Sequence, residues 1–142
     1  MTGSAVVDAS VAVKWVVDEE DSLQARPLAD ARLEAPDLLL VECANILWKK
    51  AALGDLTRPE AAARLGLLTR APVTFTASRE LLDPALELAL EWKHPVYDCL
   101  YAALAIRRNV PLITADKRLA AAARKKKKNA PRVILLAELQ AP

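Results

Sequence analysis

The chain has 142 residues, 54% of them hydrophobic and 27% charged. That balance excludes disorder and is sized for one domain, residues 1–142, with a single sizeable core. A net charge of +2 is too small to mark a nucleic-acid binder unless the cations cluster, and they do so locally at Lys49-Lys50, Arg107-Arg108, Lys117-Arg118 and Arg124 to Lys128. No run approaches the roughly 18 apolar residues a membrane span needs, and no basic-then-apolar leader opens the chain, so a soluble cytoplasmic protein without membrane contact is expected.

In chain order, Ala5 to Asp8 reads as a short buried strand and Val11 to Val17 as the helix after it. Asp21 to Ala31 is a second helix with Ser22 as a cap. Asp37, directly after a proline, is placed to cap a helix running past Trp48, which Gly54 ends. Thr57, Pro59 and Glu60 repeat the start signal, as cap, first-turn proline and capping-box acid, for a helix reaching Thr69. Val73 to Thr76 is β-branched with an aromatic and reads as a strand. Asp83 to Trp92 is helical until His94-Pro95, and Tyr97 to Arg108 is the next helix. Pro111 to Thr114 is a short buried strand, Asp116 to Ala123 a helix and Val133 to Leu136 a last strand. Short apolar strands alternating with helices imply parallel βαβ units, an α/β fold.

Against this layout, Asp8, Glu42, Asp98 and Asp116 each sit inside or at the end of an apolar stretch. Burying an unpaired carboxylate there costs several kcal/mol or forces it to take up a proton. Singly, three have ordinary uses. Asp8 and Asp116 fit helix caps after strands, and Asp98 fits the first turn of a helix whose dipole favours an anion. Glu42 is harder to dismiss, because Leu38, Leu39, Val41, Cys43 and Ile46 leave it little polar company besides Asn45. Functional groups of parallel sheets gather beyond the carboxyl ends of the strands, and all four acids can reach that rim. Converging carboxylates repel, and Mg²⁺ or Mn²⁺, which prefer oxygen ligands, would relieve the repulsion and activate water for attack on a phosphodiester.

Composition removes the main competitors. His94 is the only histidine, so a two-histidine ribonuclease mechanism or a histidine-rich zinc site has no residues to use, and His94 reads as a turn residue. Two cysteines, Cys43 and Cys99, do not make a four-cysteine zinc site and read as small core residues of a reducing compartment. Three glycines supply neither a phosphate loop nor a dinucleotide fingerprint.

The segments Val7-Asp8-Ala9-Ser10 through Trp15, Pro36-Asp37 through Glu42 to Asn45, Tyr97-Asp98-Cys99 through Ala105, and Leu112-Ile113-Thr114-Ala115-Asp116 together resemble the PIN-domain ribonucleases, most closely the VapC-type toxins of toxin–antitoxin pairs. Each motif is loose alone; their order and spacing are specific. The resemblance implies a three-layer α/β/α sandwich with a central parallel sheet and Mg²⁺- or Mn²⁺-dependent cleavage of RNA. It implies Asp8, Glu42, Asp98 and Asp116 as the catalytic and metal-binding quartet. Ser10 and Thr114, and more weakly Asn45, would orient ligands or water. A homodimer and a cognate antitoxin partner are implied too. Lys14, Lys49 and Arg118 are candidate contacts to RNA phosphates, and the Lys125 to Lys128 run is either a further patch or a connecting loop. Two other classes compete: a metal-binding receiver-like signalling module, and an RNA-binding PIN-like domain without turnover. The receiver needs paired acids after its first strand, whereas Asp18-Glu19-Glu20-Asp21 follows a helix. Intact acids oppose the second.

Overall fold

In the computed structural model, the described residues are 3–125 and 129–140. Five parallel strands make one sheet in the order β3-β2-β1-β4-β5: β1 Ser4–Val7, β2 Arg32–Pro36, β3 Val73–Thr76, β4 Leu112–Thr114 and β5 Val133–Leu135. The helices are α1 Ala9–Ala12, α2 Ser22–Ala25, α3 Leu38–Ala52, α4 Arg58–Thr69, α5 Leu82–Trp92, α6 Val96–Arg108 and α7 Lys117–Arg124.

Side chains alternate across the sheet with the period of two that a strand imposes. Val6, Ala35 and Leu112 point into the larger core with α3, α5, α6 and α7, while Ala5, Val7, Leu33 and Ile113 point into a smaller one closed by Ala25, Leu28 and Leu136. Both faces are therefore covered, and β1 and β4, at the middle of the sheet, are buried almost throughout. The expected α/β sandwich with a central parallel sheet is what the chain forms.

From β1 the chain builds outward through β2 to β3, then returns across the larger face through α5 and α6 to lay β4 on the other side of β1. The order reverses between β1 and β4, and beyond their carboxyl ends lie Asp8 and Asp116. A receiver domain has the strand order 2-1-3-4-5, so this topology rules against the receiver-like alternative.

Several local expectations change. The helix expected over Val11 to Val17 is α1 followed by a 3-10 turn, Val13–Trp15. Asp21 to Ala31 is α2 followed by a 3-10 segment through Pro27, Arg26–Asp30, because proline withholds the amide that an α-helix needs there. Ser22 does not cap; its hydroxyl donates to the Val17 carbonyl and accepts from the Glu19 amide. Asp37 precedes α3, but its carboxylate accepts from the Ser78 amide and hydroxyl, and Ser78 Oγ in turn accepts from the Leu38 amide at 3.3 Å. Strand β2 has no counterpart among the expected elements.

Candidate active site

Four elements deliver the four acids to one cleft of about 170 Å³, lined by Asp8, Ser10, Glu42, Asp98, Tyr101 and Asp116 among others. Asp8 ends β1 and caps α1; Glu42 lies in the second turn of α3; Asp98 is in the first turn of α6; Asp116 follows β4 and caps α7. The cap uses and the shared site hold together, because a carboxylate with two oxygens serves both.

Asp8 is the most enclosed, at 6% exposure. Its Oδ1 accepts from Ser10 Oγ at 2.5 Å and from the Val11 amide at 3.3 Å, and its Oδ2 accepts from Thr114 Oγ1. The two hydroxyls are themselves fixed: Ser10 Oγ accepts from the Ala115 amide and Thr114 Oγ1 from the Asp116 amide, each at 2.9 Å. This net ties the end of β1 to the end of β4 and places Ser10 and Thr114 in contact with Asp8. Burial pushes the Asp8 carboxyl from 3.8 up to about 6 despite those bonds, and the nearby Asp98 charge adds to the rise.

The other acids each have one oxygen held and one open. Tyr101 Oη donates to Glu42 Oε1 at 2.5 Å. His94 Nε2 lies 2.7 Å from Asp98 Oδ2. Asp116 Oδ1 accepts the Arg118 and Leu119 amides at 2.9 and 3.2 Å. Among the described residues Glu42 Oε2, Asp98 Oδ1 and Asp116 Oδ2 accept no hydrogen bond. Burial raises the Glu42 and Asp98 carboxyls, each against a hydrogen bond that lowers it, from Tyr101 and His94 respectively; Asp98 charge adds to the rise at Glu42 and Asp116 charge to that at Asp98.

The donor set suits a hard divalent cation, being oxygen only and anionic. In the present rotamers, among the described residues, no three acidic, histidine or cysteine side chains close on one point as a finished ligand set. The oxygens left open to a ligand are Glu42 Oε2, Asp98 Oδ1 and Asp116 Oδ2.

Tyr101 and His94 each hold one of the acids, a role that the sequence does not announce. Tyr101 is 1% exposed, and burial drives its phenol well above its ordinary range, with the Glu42 charge adding to it, so it stays a neutral donor. His94 lies in the turn between α5 and α6, four residues before Asp98, and its ring reaches the Asp98 carboxylate from there. That spacing was the available signal. Asn45 is exposed, and no hydrogen bond joins it to any of the four acids.

Lys14 needs correction as a phosphate contact. It is buried, bonding Glu19 Oε1 at 3.1 Å and the Glu20 carbonyl at 2.6 Å. Burial opposes the Glu19 charge, but bonds from Lys50 and Lys14 hold its carboxyl below the ordinary value. Lys49 and Arg118 are exposed; Lys126 to Lys128 lie outside the described residues. Burial pushes the Cys43 and Cys99 thiols up to about 12 and about 11, so both are inert core groups.

A model of the PIN domain family matches residues 5–125. Ribonuclease VapC3 of Pyrobaculum aerophilum is 40% identical over 119 residues, 81% of this chain and 91% of that protein. Among solved structures, PAE2754 from Pyrobaculum aerophilum superposes with a TM-score of 0.67 at 25% identity, covering 96% of this chain and 93% of that one. VapBC2 from Rickettsia felis, bound to a DNA fragment from their promoter, gives 0.65 at 13% identity over 93% and 98% of the two chains. Mycobacterium tuberculosis VapC20, a sarcin-ricin loop cleaving toxin, gives 0.64 at 16% identity over 83% and 94%.

Proposed function

The chain belongs to the PIN-domain family, among its VapC-type ribonucleases, and on that footing we propose that it is a Mg²⁺- or Mn²⁺-dependent endoribonuclease acting as the toxin of a toxin–antitoxin pair. The observation that carries this reading is the delivery of four carboxylates by four separate elements into one cleft at the switch point of the sheet.

A bound divalent ion would supply Lewis-acid charge at the scissile phosphate and lower the pKa of water. Asp8 and Asp98 are the most direct ligands in this reading. Asp8 is held by Ser10 and Thr114 so that its charge faces a fixed point, and Asp98 is oriented through His94. Glu42 and Asp116 would hold the ion directly or through water and would polarise the attacking water. The water oxygen forms the new bond to phosphorus, a ribose oxygen leaves with the electron pair of the broken bond, and a carboxylate of the cleft takes the water proton. Tyr101, neutral at any physiological pH, keeps Glu42 aimed without competing for that proton. Lys49 and Arg118 are exposed cations available to phosphate.

The partners proposed are an RNA substrate, a second copy of the chain and an antitoxin. Exposed apolar side chains support the protein contacts: Val41, Trp48 and Leu53 at and after α3, and Leu82, Leu86 and Leu90 four residues apart on α5. Light scattering on the purified chain should give twice the monomer mass; a monomer at micromolar concentration would remove the homodimer. Among the described residues no helix is long and apolar enough to cross a membrane.

Activity is tested by incubating the purified protein with structured RNA and Mg²⁺. Cleavage should stop with chelator and fall at least about a hundredfold in Asp8→Asn, the scale of losing a charge aimed at the reacting centre. Equal cleavage by wild type and Asp8→Asn would sink the proposal.

A further inference from the structure

Beside the acid cleft lies a second, larger depression of about 470 Å³, between the C-terminal end of α5 and the face of α7. Among the described residues Lys93, His94, Arg118 and Lys125 line it, with Glu91 as the only acid and Trp92 in its wall. Resting on the nuclease reading, we infer that this groove holds the phosphate backbone of the RNA strand on one side of the scissile bond.

Three observations support this assignment. The groove and the cleft are joined at two residues: His94 lines the groove and bonds Asp98 within the cleft, while the Arg118 amide bonds Asp116. The two depressions are therefore neighbours, and a strand whose phosphate lies among the acids has the groove beside it.

The charge is also unspent. Among the described residues Lys93, Arg118 and Lys125 are in no ion pair, a state they share with other exposed cations such as Lys49, Arg58 and Arg70; what sets these three apart is that they line one depression. Three unpaired cations facing one acid make a local positive field next to a strongly negative cleft. A phosphodiester chain needs such a field in order to approach four carboxylates at all, since its own charge is repelled by them.

The third observation is the fixed placement of the basic end of α5. Lys93 closes that helix in the left-handed region, φ 53, a conformation costly for a residue with a Cβ. It turns the chain towards His94-Pro95, and Lys93 lines the groove at that turn. Ala121 and Ala122 on α7 are small enough to leave the depression open.

The probe is a fluorescein-labelled single-stranded oligoribonucleotide, titrated by anisotropy at several salt concentrations onto Asp8→Asn and onto Asp8→Asn carrying Lys93→Ala and Lys125→Ala. Removing one cation that neutralises a phosphate should reduce the log–log salt slope by about 0.7. The double change should therefore lower the slope by about 1.4 and weaken binding about tenfold at physiological salt. Arg58→Ala with Arg70→Ala, exposed cations of α4 and the turn after it, should leave the slope unaltered. If Lys93→Ala/Lys125→Ala shifts the slope no more than Arg58→Ala/Arg70→Ala while the wild type cleaves RNA, the groove is overturned and the nuclease stands. If the wild type neither binds nor cleaves RNA, the nuclease reading itself falls, and the groove with it.

Discussion

Asp8 keeps its carboxyl near pH 6 although three groups donate to it, so burial outweighs three hydrogen bonds at that position. The rise of about two units corresponds to an order of 3 kcal/mol against the ionised form in the cation-free protein. Because the folded pKa lies above the unfolded one, the folded state binds more protons between about 4 and 6, and stability falls as pH rises through that window. Asp8→Asn should therefore raise the unfolding free energy of the cation-free protein at pH 7 by up to that amount, with the gain vanishing below pH 4; urea titrations at the two pH values measure it. Destabilisation by Asp8→Asn at pH 7 would contradict the assignment. Tyr101→Phe tests the neighbouring acid. Losing the donor to Glu42 should cost about 10- to 100-fold in cleavage rate, as removal of groups that orient metal ligands generally does, and a rate within twofold of wild type would show Glu42 needs no orienting. The four acids were legible in the sequence because a charge within an apolar run is costly. Tyr101 and His94 were not, for a different reason: the Tyr101 partner is 59 residues away, and an aromatic at core spacing looks the same whether or not its hydroxyl has a carboxylate to meet.

Helices α3 and α4 are joined by two local signals that the sequence states openly. The end of α3 is a Schellman closure, with the Gly54 amide on the Ala51 carbonyl, the Asp55 amide on the Lys50 carbonyl and Gly54 at φ 84. The start of α4 is a full capping box, Thr57 accepting from the Glu60 amide at 3.2 Å and Glu60 returning to the Thr57 amide at 3.0 Å. Thr57→Ala should cost about 1 kcal/mol of stability and leave cleavage as it is, since α4 adds no side chain to the cleft; a loss of activity at full folding would mean α4 positions α3 more tightly than its packing suggests. Elements with terminal chemistry of their own were readable, and the strand β2 was not. Glu34, Ala35 and Pro36 are poor strand formers, and the segment is extended because β1 pairs with Arg32 to Glu34 and β3 with Leu33 to Pro36. Glu34, which would be costly in a central strand, is matched by Arg108 at 3.0 Å. In the same way, Asp37 looks like a cap for α3 yet serves Ser78, because β3 ends beside it.

For the molecule as a whole, the sheet order decides where chemistry occurs. Reversal between β1 and β4 opens a gap above their ends, and α3 and α6 border it from the larger core, each bringing one acid from its first two turns. The cleft is thus assembled from residues 8 to 116, which is why no short motif in this chain is persuasive alone and why the spacing of four is. A cation occupying it at a hundred times its dissociation constant would stabilise the fold by about 2.7 kcal/mol, enough to offset most of the cost of burying Asp8. The most direct measurement is a crystal soaked in Mn²⁺ and measured for anomalous scattering. A peak is expected in the cleft about 2.1 Å from carboxylate oxygens of Asp8 and Asp98, with Glu42 or Asp116 directly on the ion or one water away, and absent from Asp8→Asn crystals soaked alike. A Mn²⁺ peak only elsewhere, such as among Asp18 to Asp21, or none at millimolar Mn²⁺, would contradict it.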